Sequence, residues 1–164
     1  MPHRKTNAPP SALEHGPGNL AAYQEQRSVL EPEHRRRILS ISAVPTDHDS
    51  LRSILSDKLW QVDEASNYQQ AVACLCRDRM DIVVCESHLP DGTWRDLLGH
   101  IAEMMDAPAL IVTSRMADAD FRAEVHALGG YDVLIKPFNA EEVKRVLAAA
   151  DRHRVTMAEV PVLA

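Results

Sequence analysis

From Arg37 onward, short apolar runs alternate with longer stretches of helical periodicity, and this alternation limits the chain to few folds. The runs are too short for helices and are predicted to be five strands at residues 38–42, 61–64, 82–85, 109–113 and 133–135. Strands alternating with helices form parallel sheets, whose crossovers are almost always right-handed. The pattern therefore predicts an α/β fold, with one doubly wound five-stranded parallel sheet and helices on both of its faces.

Capping residues and periodicity place five helices between and after the strands. Thr46 to Asp49 and Asn139 to Glu142 have the spacing of capping boxes, and Asn67 precedes another helix. The helices carry apolar residues at helical spacing, and Val143, Val146 and Leu147 are predicted to face inward. The other apolar positions are Leu51, Ile54, Leu55, Ala71, Val72, Leu75, Leu97, Leu98, Ile101, Met105, Phe121, Val125 and Leu128. Gly129 and Gly130 end the fourth helix.

The first 36 residues differ from the rest in composition. Five of the ten prolines lie there, with few large apolar residues, so residues 1–36 are predicted to be a disordered or partly helical arm. Residues 37–153 form the predicted domain and residues 154–164 a short tail. This length leaves no room for an output domain, so the sequence predicts a stand-alone domain.

Charge and cysteine content narrow the function classes. Residues 1–37 carry six Lys and Arg against four Asp and Glu, whereas residues 38–164 carry twelve against twenty. An acidic body argues against nucleic-acid binding, and no apolar run is long enough to span a membrane, so we expect a cytoplasmic protein. Cys74, Cys76 and Cys85 lack zinc or disulfide spacing and are expected to be reduced thiols.

Polar side chains stand where the predicted strands end. Ser42, Glu86, Thr113, Ser114 and Lys136 occupy these positions. Ligands of open doubly wound sheets bind beyond the carboxyl ends of the strands. One acid, several hydroxyls and one ammonium group are therefore expected to form an oxyanion site there.

Five motifs in this order resemble the receiver domain of two-component response regulators. They are Asp81-Ile-Val-Val-Cys-Glu86, Leu89-Pro-Asp-Gly92, Ile111-Val-Thr113, Gly129 and Lys136-Pro-Phe138. The resemblance covers roughly residues 37–152. It implies a flavodoxin-like sheet with strand order 2-1-3-4-5.

The resemblance also implies a chemistry from which this sequence departs. Receivers that are phosphorylated use an Asp at the end of the third strand and an acidic pair after the first strand, which hold Mg²⁺ together. Here Glu86 replaces the Asp, Ser42 ends the first strand without the acidic pair, and Val133 stands where an aromatic residue is common. Thr113 and Lys136 match the family pattern.

These departures imply an atypical receiver, or pseudo-receiver, in phosphorelay signalling that acts by protein–protein interaction without phosphorylation. It would not be an enzyme and would need no cofactor, with Mg²⁺ binding weak or absent because one carboxylate and one ammonium give a nearly neutral pocket. The alternatives are a receiver that a histidine kinase phosphorylates, and a scaffold that uses the N-terminal arm.

Glu86 itself has two interpretations. Its carboxylate reaches about 1.5 Å further than that of Asp, so it could substitute for a phosphorylated residue. The simpler interpretation, which we favour, is that Glu86 pairs with Lys136 so that neither charge is left uncompensated.

Nearby loop residues are expected to have structural roles. Asp47 and Asp49 could be displaced metal ligands, but acids in the first turn of a helix capped by Thr46 are the favoured interpretation. His48 and His88 are expected to be exposed to solvent, and Asp91 to form a turn.

The partner is expected to be a histidine kinase or a downstream effector, and the sequence also allows a homodimer. The surface that receivers commonly use for partners would include Phe121, His126, Tyr131 and Phe138.

Overall fold

A computed structural model describes residues 35–159 of the chain. The sheet contains five parallel strands: β1 Arg36–Ile41, β2 Trp60–Ala65, β3 Ile82–Glu86, β4 Ala109–Ser114 and β5 Asp132–Ile135. Their order in the sheet is β2-β1-β3-β4-β5, as predicted. A small antiparallel hairpin, His88–Leu89 with Gly92–Thr93, follows β3. The predicted arm lies outside the described residues except for Arg35 and Arg36, of which Arg36 begins β1.

Five helices connect or follow the strands: α1 Pro45–Ile54, α2 Tyr68–Arg77, α3 Trp94–Ala102, α4 Ala119–Leu128 and α5 Ala140–Glu159. Two apolar layers cover the sheet. Buried residues of α2, α3 and α4 pack with Val83 and Cys85 on one face. Those of α1 and α5 pack with Ile82 and Val84 on the other face. The alternation along β3 thus places helices on both faces, as the sequence predicts.

Two of the predicted helix starts are confirmed. The Asn67 side chain accepts a hydrogen bond from the Gln70 amide at 2.8 Å, and Asn139 accepts one from the Glu142 amide at 3.0 Å. Each side-chain oxygen satisfies an amide that has no partner within its helix.

The predicted start of α1 is wrong. The helix begins at Pro45, with Val44 as its N-cap residue and no side-chain cap, so Thr46 lies inside the first turn. A proline suits the first helical position because it has no N–H to satisfy and its φ is already helical. The earlier start also changes where Asp47 lies.

Helix ends account for the remaining differences. Met105 lies beyond α3, which ends at Ala102, and is fully exposed, so the prediction that the third helix runs through Met105 is wrong. Leu128, in the last turn of α4, is also exposed. Helix α5 runs to Glu159 and therefore includes residues 154–159 of the predicted tail. Its Arg154 donates hydrogen bonds to Asp81 at 2.8 Å and Asp106 at 3.1 Å, which anchor the extension.

Within residues 35–159, the helices are too short or too polar to cross a bilayer.

Candidate functional site

Three strand ends bring Ser42, Glu86 and Lys136 together. Strand β3 lies between β1 and β4, so Glu86 at its end is central. The Lys136 ammonium lies 2.8 Å from Glu86 Oε1, and the Ser42 hydroxyl lies 3.0 Å from Glu86 Oε2. Each oxygen of the Glu86 carboxylate therefore lies within hydrogen-bond distance of a polar group of the protein itself.

Asp47 is a further member of the site that the sequence interpretation missed. Its Oδ2 atom accepts hydrogen bonds from Lys136 Nζ and from the Ser42 hydroxyl, each at 2.7 Å. The interpretation of Asp47 as only a first-turn acid is thus wrong, because the start of α1 at Pro45 directs this side chain toward the strand ends. Asp49, by contrast, is exposed and lies 4.0 Å from Arg52.

The pocket consequently has two carboxylates around one ammonium group, and the expected one-to-one balance is wrong. The Lys136 side chain is 4 % exposed, that of Asp47 13 % and that of Glu86 21 %. The Ser42 hydroxyl has a single proton, so it can donate to only one carboxylate at a time. The cluster of Ser42, Asp47, Glu86 and Lys136, which we call the lysine cluster, carries a formal charge of about −1 when both acids are ionised.

Pairing controls ionisation in the lysine cluster. Burial alone would raise the pKa of Asp47, but hydrogen bonds from Lys136 and Ser42 and the charges of Lys136 and Arg115 outweigh it, so the pKa is lowered. Burial would likewise lower the pKa of Lys136, yet its hydrogen bonds to Asp47 and Glu86 raise it. Both groups are therefore held in their charged forms at neutral pH.

A buried histidine lies next to the lysine cluster. His48 was expected to face solvent, and this is wrong, since it is 5 % exposed. Its Nε2 atom lies 2.9 Å from the Ser42 carbonyl, which can only accept, so Nε2 carries the proton. Its Nδ1 atom lies 2.8 Å from the Ser40 hydroxyl. His48 thus ties the first turn of α1 to the end of β1.

The two remaining predicted hydroxyls lie on the neighbouring strand. Thr113 is buried and pairs in register with Glu86. The Ser114 hydroxyl accepts a hydrogen bond from the Met116 amide at 3.1 Å, while the Lys136 amide donates to the Ser114 carbonyl at 3.0 Å. Within the described chain, these hydroxyls border the lysine cluster without a hydrogen bond to its charged atoms.

Residues after β3 have mixed roles. His88 is exposed, as expected. Asp91 does more than form a turn, because its carboxylate accepts hydrogen bonds from the Tyr68 amide at 2.7 Å and the Gln69 amide at 3.0 Å. It therefore satisfies free amides in the first turn of α2.

The four residues named as a partner surface have different surroundings. Phe121 packs edge-on against Trp94 with ring centroids 6.0 Å apart, and Tyr131 lies 5.5 Å from the His153 ring. His126 is exposed and lies 3.6 Å from Asp132. Phe138 is half-buried and lines a pocket of about 250 Å³ beside Asp47 and Lys136.

The carboxylate oxygens of the lysine cluster are poorly placed to bind a divalent cation. Mg²⁺ needs several oxygen ligands in octahedral geometry, including carboxylates. The oxygens of Asp47 and Glu86 nearest the centre already bind the Lys136 ammonium, which occupies the space between them. Across residues 35–159, we find no group of three or more His, Cys, Asp or Glu side chains placed to hold a metal ion.

Fold and site together define a doubly wound α/β domain of the receiver type, with acids and a buried lysine at the carboxyl ends of its strands. Comparison with known families agrees, because the model of the response regulator receiver domain matches residues 38–148. The chain therefore belongs to the response regulator receiver family, whose members act in two-component signalling.

Individual relatives give the same result. The transcriptional regulatory protein KdpE of Mycobacterium tuberculosis is 31 % identical over 124 residues, which are 74 % of this chain and 54 % of KdpE. The probable transcriptional regulatory protein TcrX of the same species is 32 % identical over 107 residues, 65 % of this chain and 45 % of TcrX. The chain thus spans about half the length of these curated relatives.

Solved structures share the fold. The signal receiver domain of an HD domain-containing protein from Pseudomonas fluorescens superposes with a TM-score of 0.70 and 24 % identity, over 77 % of this chain and 94 % of that one. The chemotaxis response regulator CheY4 of Vibrio cholerae superposes with a TM-score of 0.64 and 18 % identity, over 71 % and 98 %.

Proposed function

We propose that this receiver is atypical and signals by contact with a protein partner, and that phosphoryl transfer to the receiver is lost or greatly weakened. One observation carries the proposal: the Lys136 ammonium already binds Glu86, 2.8 Å from Oε1, and the Ser42 hydroxyl lies 3.0 Å from Oε2. Glu86 is thus paired with a cation of the fold itself, without a phosphoryl group or a metal. The arrangement of these side chains is accordingly set by the fold and does not require a modification.

Electrostatics support the same proposal. Phosphoryl transfer brings an anion to the nucleophile and relies on cations that neutralise the transferring oxygens. Here the incoming anion would meet the Asp47 carboxylate beside Glu86, with Lys136 as the buried cation that both acids already share. Like charges within a few ångströms repel strongly at partly buried sites. The barrier to modification of Glu86 is therefore expected to be high.

The partner follows from the family. Receivers exchange signals with histidine kinases and effectors, so we propose a protein of one of these kinds, with a homodimer as a further form. The protein would work in the cytoplasm as a binding module, without a cofactor and without catalysing a reaction. Phe121, His126, Tyr131 and Phe138 are proposed as contacts, of which His126 is the most exposed.

Incubation with acetyl phosphate and Mg²⁺, followed by intact mass spectrometry, tests the proposal. We expect the native protein to keep its mass. Glu86→Asp restores the shorter acid, and a mass increase in this variant alone would show that the extra methylene blocks transfer. Glu86→Gln is the matched control without a carboxylate at this position.

Modification of the native protein would overturn the proposal. An adduct present in the native protein and absent from Glu86→Gln would place the phosphoryl group on Glu86 and favour the phosphorylated receiver that the sequence left as an alternative. An adduct present in both would place it on another residue, such as Asp47, and would equally contradict a receiver that works without phosphorylation.

A further inference from the structure

A cleft of about 700 Å³ lies at the pole of the domain opposite Glu86. It opens where β4 begins at Ala109 and where Tyr131 precedes β5. The carboxyl ends of α3, α4 and α5 form its walls. Its apolar lining includes Leu98, Met105, Pro108, Leu128, Tyr131 and Met157.

Three of the lining residues are large, apolar and exposed to solvent. Met105, Leu128 and Met157 account for half of the six exposed large hydrophobic residues in the described chain. Isolated exposed apolar residues are ordinary, but a group around one concave surface marks a binding site. Covering these side chains would remove apolar area from water, which is favourable.

The polar groups of the cleft do not call for a charged occupant. Arg154 is paired with Asp81 at 2.8 Å and with Asp106 at 3.1 Å. His126 lies 3.6 Å from Asp132. An apolar, uncharged segment therefore fits the cleft better than an acidic or basic one.

The sequence supplies such a segment directly after the helix that borders the cleft. Helix α5 contributes Met157 and Ala158 to the wall and extends to Glu159. The next residues, 160–164, are Val-Pro-Val-Leu-Ala, all apolar and uncharged. Five residues can span about 17 Å when extended, which is enough to cross a cleft that their own helix borders.

We propose that residues 160–164 of the same molecule bind in this cleft and cover Met105 and Leu128. Pro161 supports this, because a proline has no N–H for a helical hydrogen bond and disfavours helical backbone at the residue before it. Val162 and Leu163 are the residues that would contact the apolar lining. The segment thereby fastens the end of α5 to α3 and α4.

Methionine methyl NMR on the full chain tests the proposal. Two variants remove the contact: one lacks residues 160–164, and the other, Leu163→Asp, keeps the length but places a charge in the apolar cleft. In both, the Met105 methyl resonance should shift and its relaxation by a soluble paramagnetic agent should increase. Met116, exposed at the opposite pole, is the control that should not change, and buried Met80 reports that the domain stays folded.

An unchanged Met105 resonance in both variants would overturn the proposal. A contact from Leu163 to Met105 in the native protein that disappears on dilution would also overturn it, because a second copy would then occupy the cleft. A contact that persists on dilution and is lost in both variants would support binding within one molecule.

Discussion

Replacement of Lys136 by Met is expected to destabilise the domain strongly. The side chain is 4 % exposed and is the donor that Asp47 and Glu86 share, at 2.7 and 2.8 Å. Methionine fills a similar volume, so the main effect is two carboxylates left without their cation. Removal of one partner from a buried ion pair costs about 3–5 kcal/mol, and we expect about 3 because both carboxylates retain some contact with water.

Urea denaturation measures this cost directly. With a slope of about 1–3 kcal/mol per M for a small protein, the midpoint should fall by about 1–3 M at pH 7. Lys144→Met, at an exposed position of α5, is the matched control and should change the free energy of unfolding by less than about 0.5 kcal/mol. Equal midpoints for Lys136→Met and the control would refute the reasoning that Lys136 neutralises a buried acidic pair.

Three further predictions follow from individual residues. Asp47→Asn should lower the free energy of unfolding by about 1.5–3 kcal/mol at pH 7. The folded pKa of Asp47 lies below its ordinary value of 3.8, so its contribution to stability is present above that value and is lost as the pH falls through the folded pKa. The denaturation curves of the variant and the native protein should therefore converge in acid. Burial, with a smaller contribution from the charge of Glu86, raises the pKa of Cys85 to about 12. A thiol reagent should therefore modify exposed Cys76 in the folded protein and Cys85 only after unfolding. Rapid labelling of Cys85 in the folded protein would contradict this prediction. Gly99→Ala, in open space within α3, should raise the melting temperature by the equivalent of about 0.5–1 kcal/mol. Gly129→Ala should lower the melting temperature, because φ is +107° at that helix end. A change of the same sign in both variants would contradict these two backbone conformations.

The fold could be predicted from the sequence because its signals are local and repeated. Each strand is a short apolar run, and the caps at Asn67 and Asn139 are formed by residues only three positions apart. The start of α1 was harder to predict, since the capping pattern at Thr46 indicated one start and the structure has another, at Pro45. The proline prevailed because its fixed φ and missing N–H suit that position without any side-chain cap.

The composition of the site depended on this shift of the helix start by two residues. Ser42, Glu86 and Lys136 could be placed at strand ends from periodicity alone. The contact of Asp47 with Lys136 joins residues 89 positions apart and depends on the exact turn of α1, which periodicity does not fix. The burial of His48 similarly depends on a tertiary contact with Ser40 and Ser42 that no local pattern signals.

Thermal melting of the native protein across a Mg²⁺ titration tests most directly whether Lys136 has taken the place of a metal between the two acids. A ligand at ten times its dissociation constant stabilises a protein by about 1.4 kcal/mol. We predict no saturable rise in melting temperature for the native protein at millimolar Mg²⁺, and a rise in Lys136→Met, where Asp47 and Glu86 lack their ammonium. A saturable rise in the native protein would contradict the central claim.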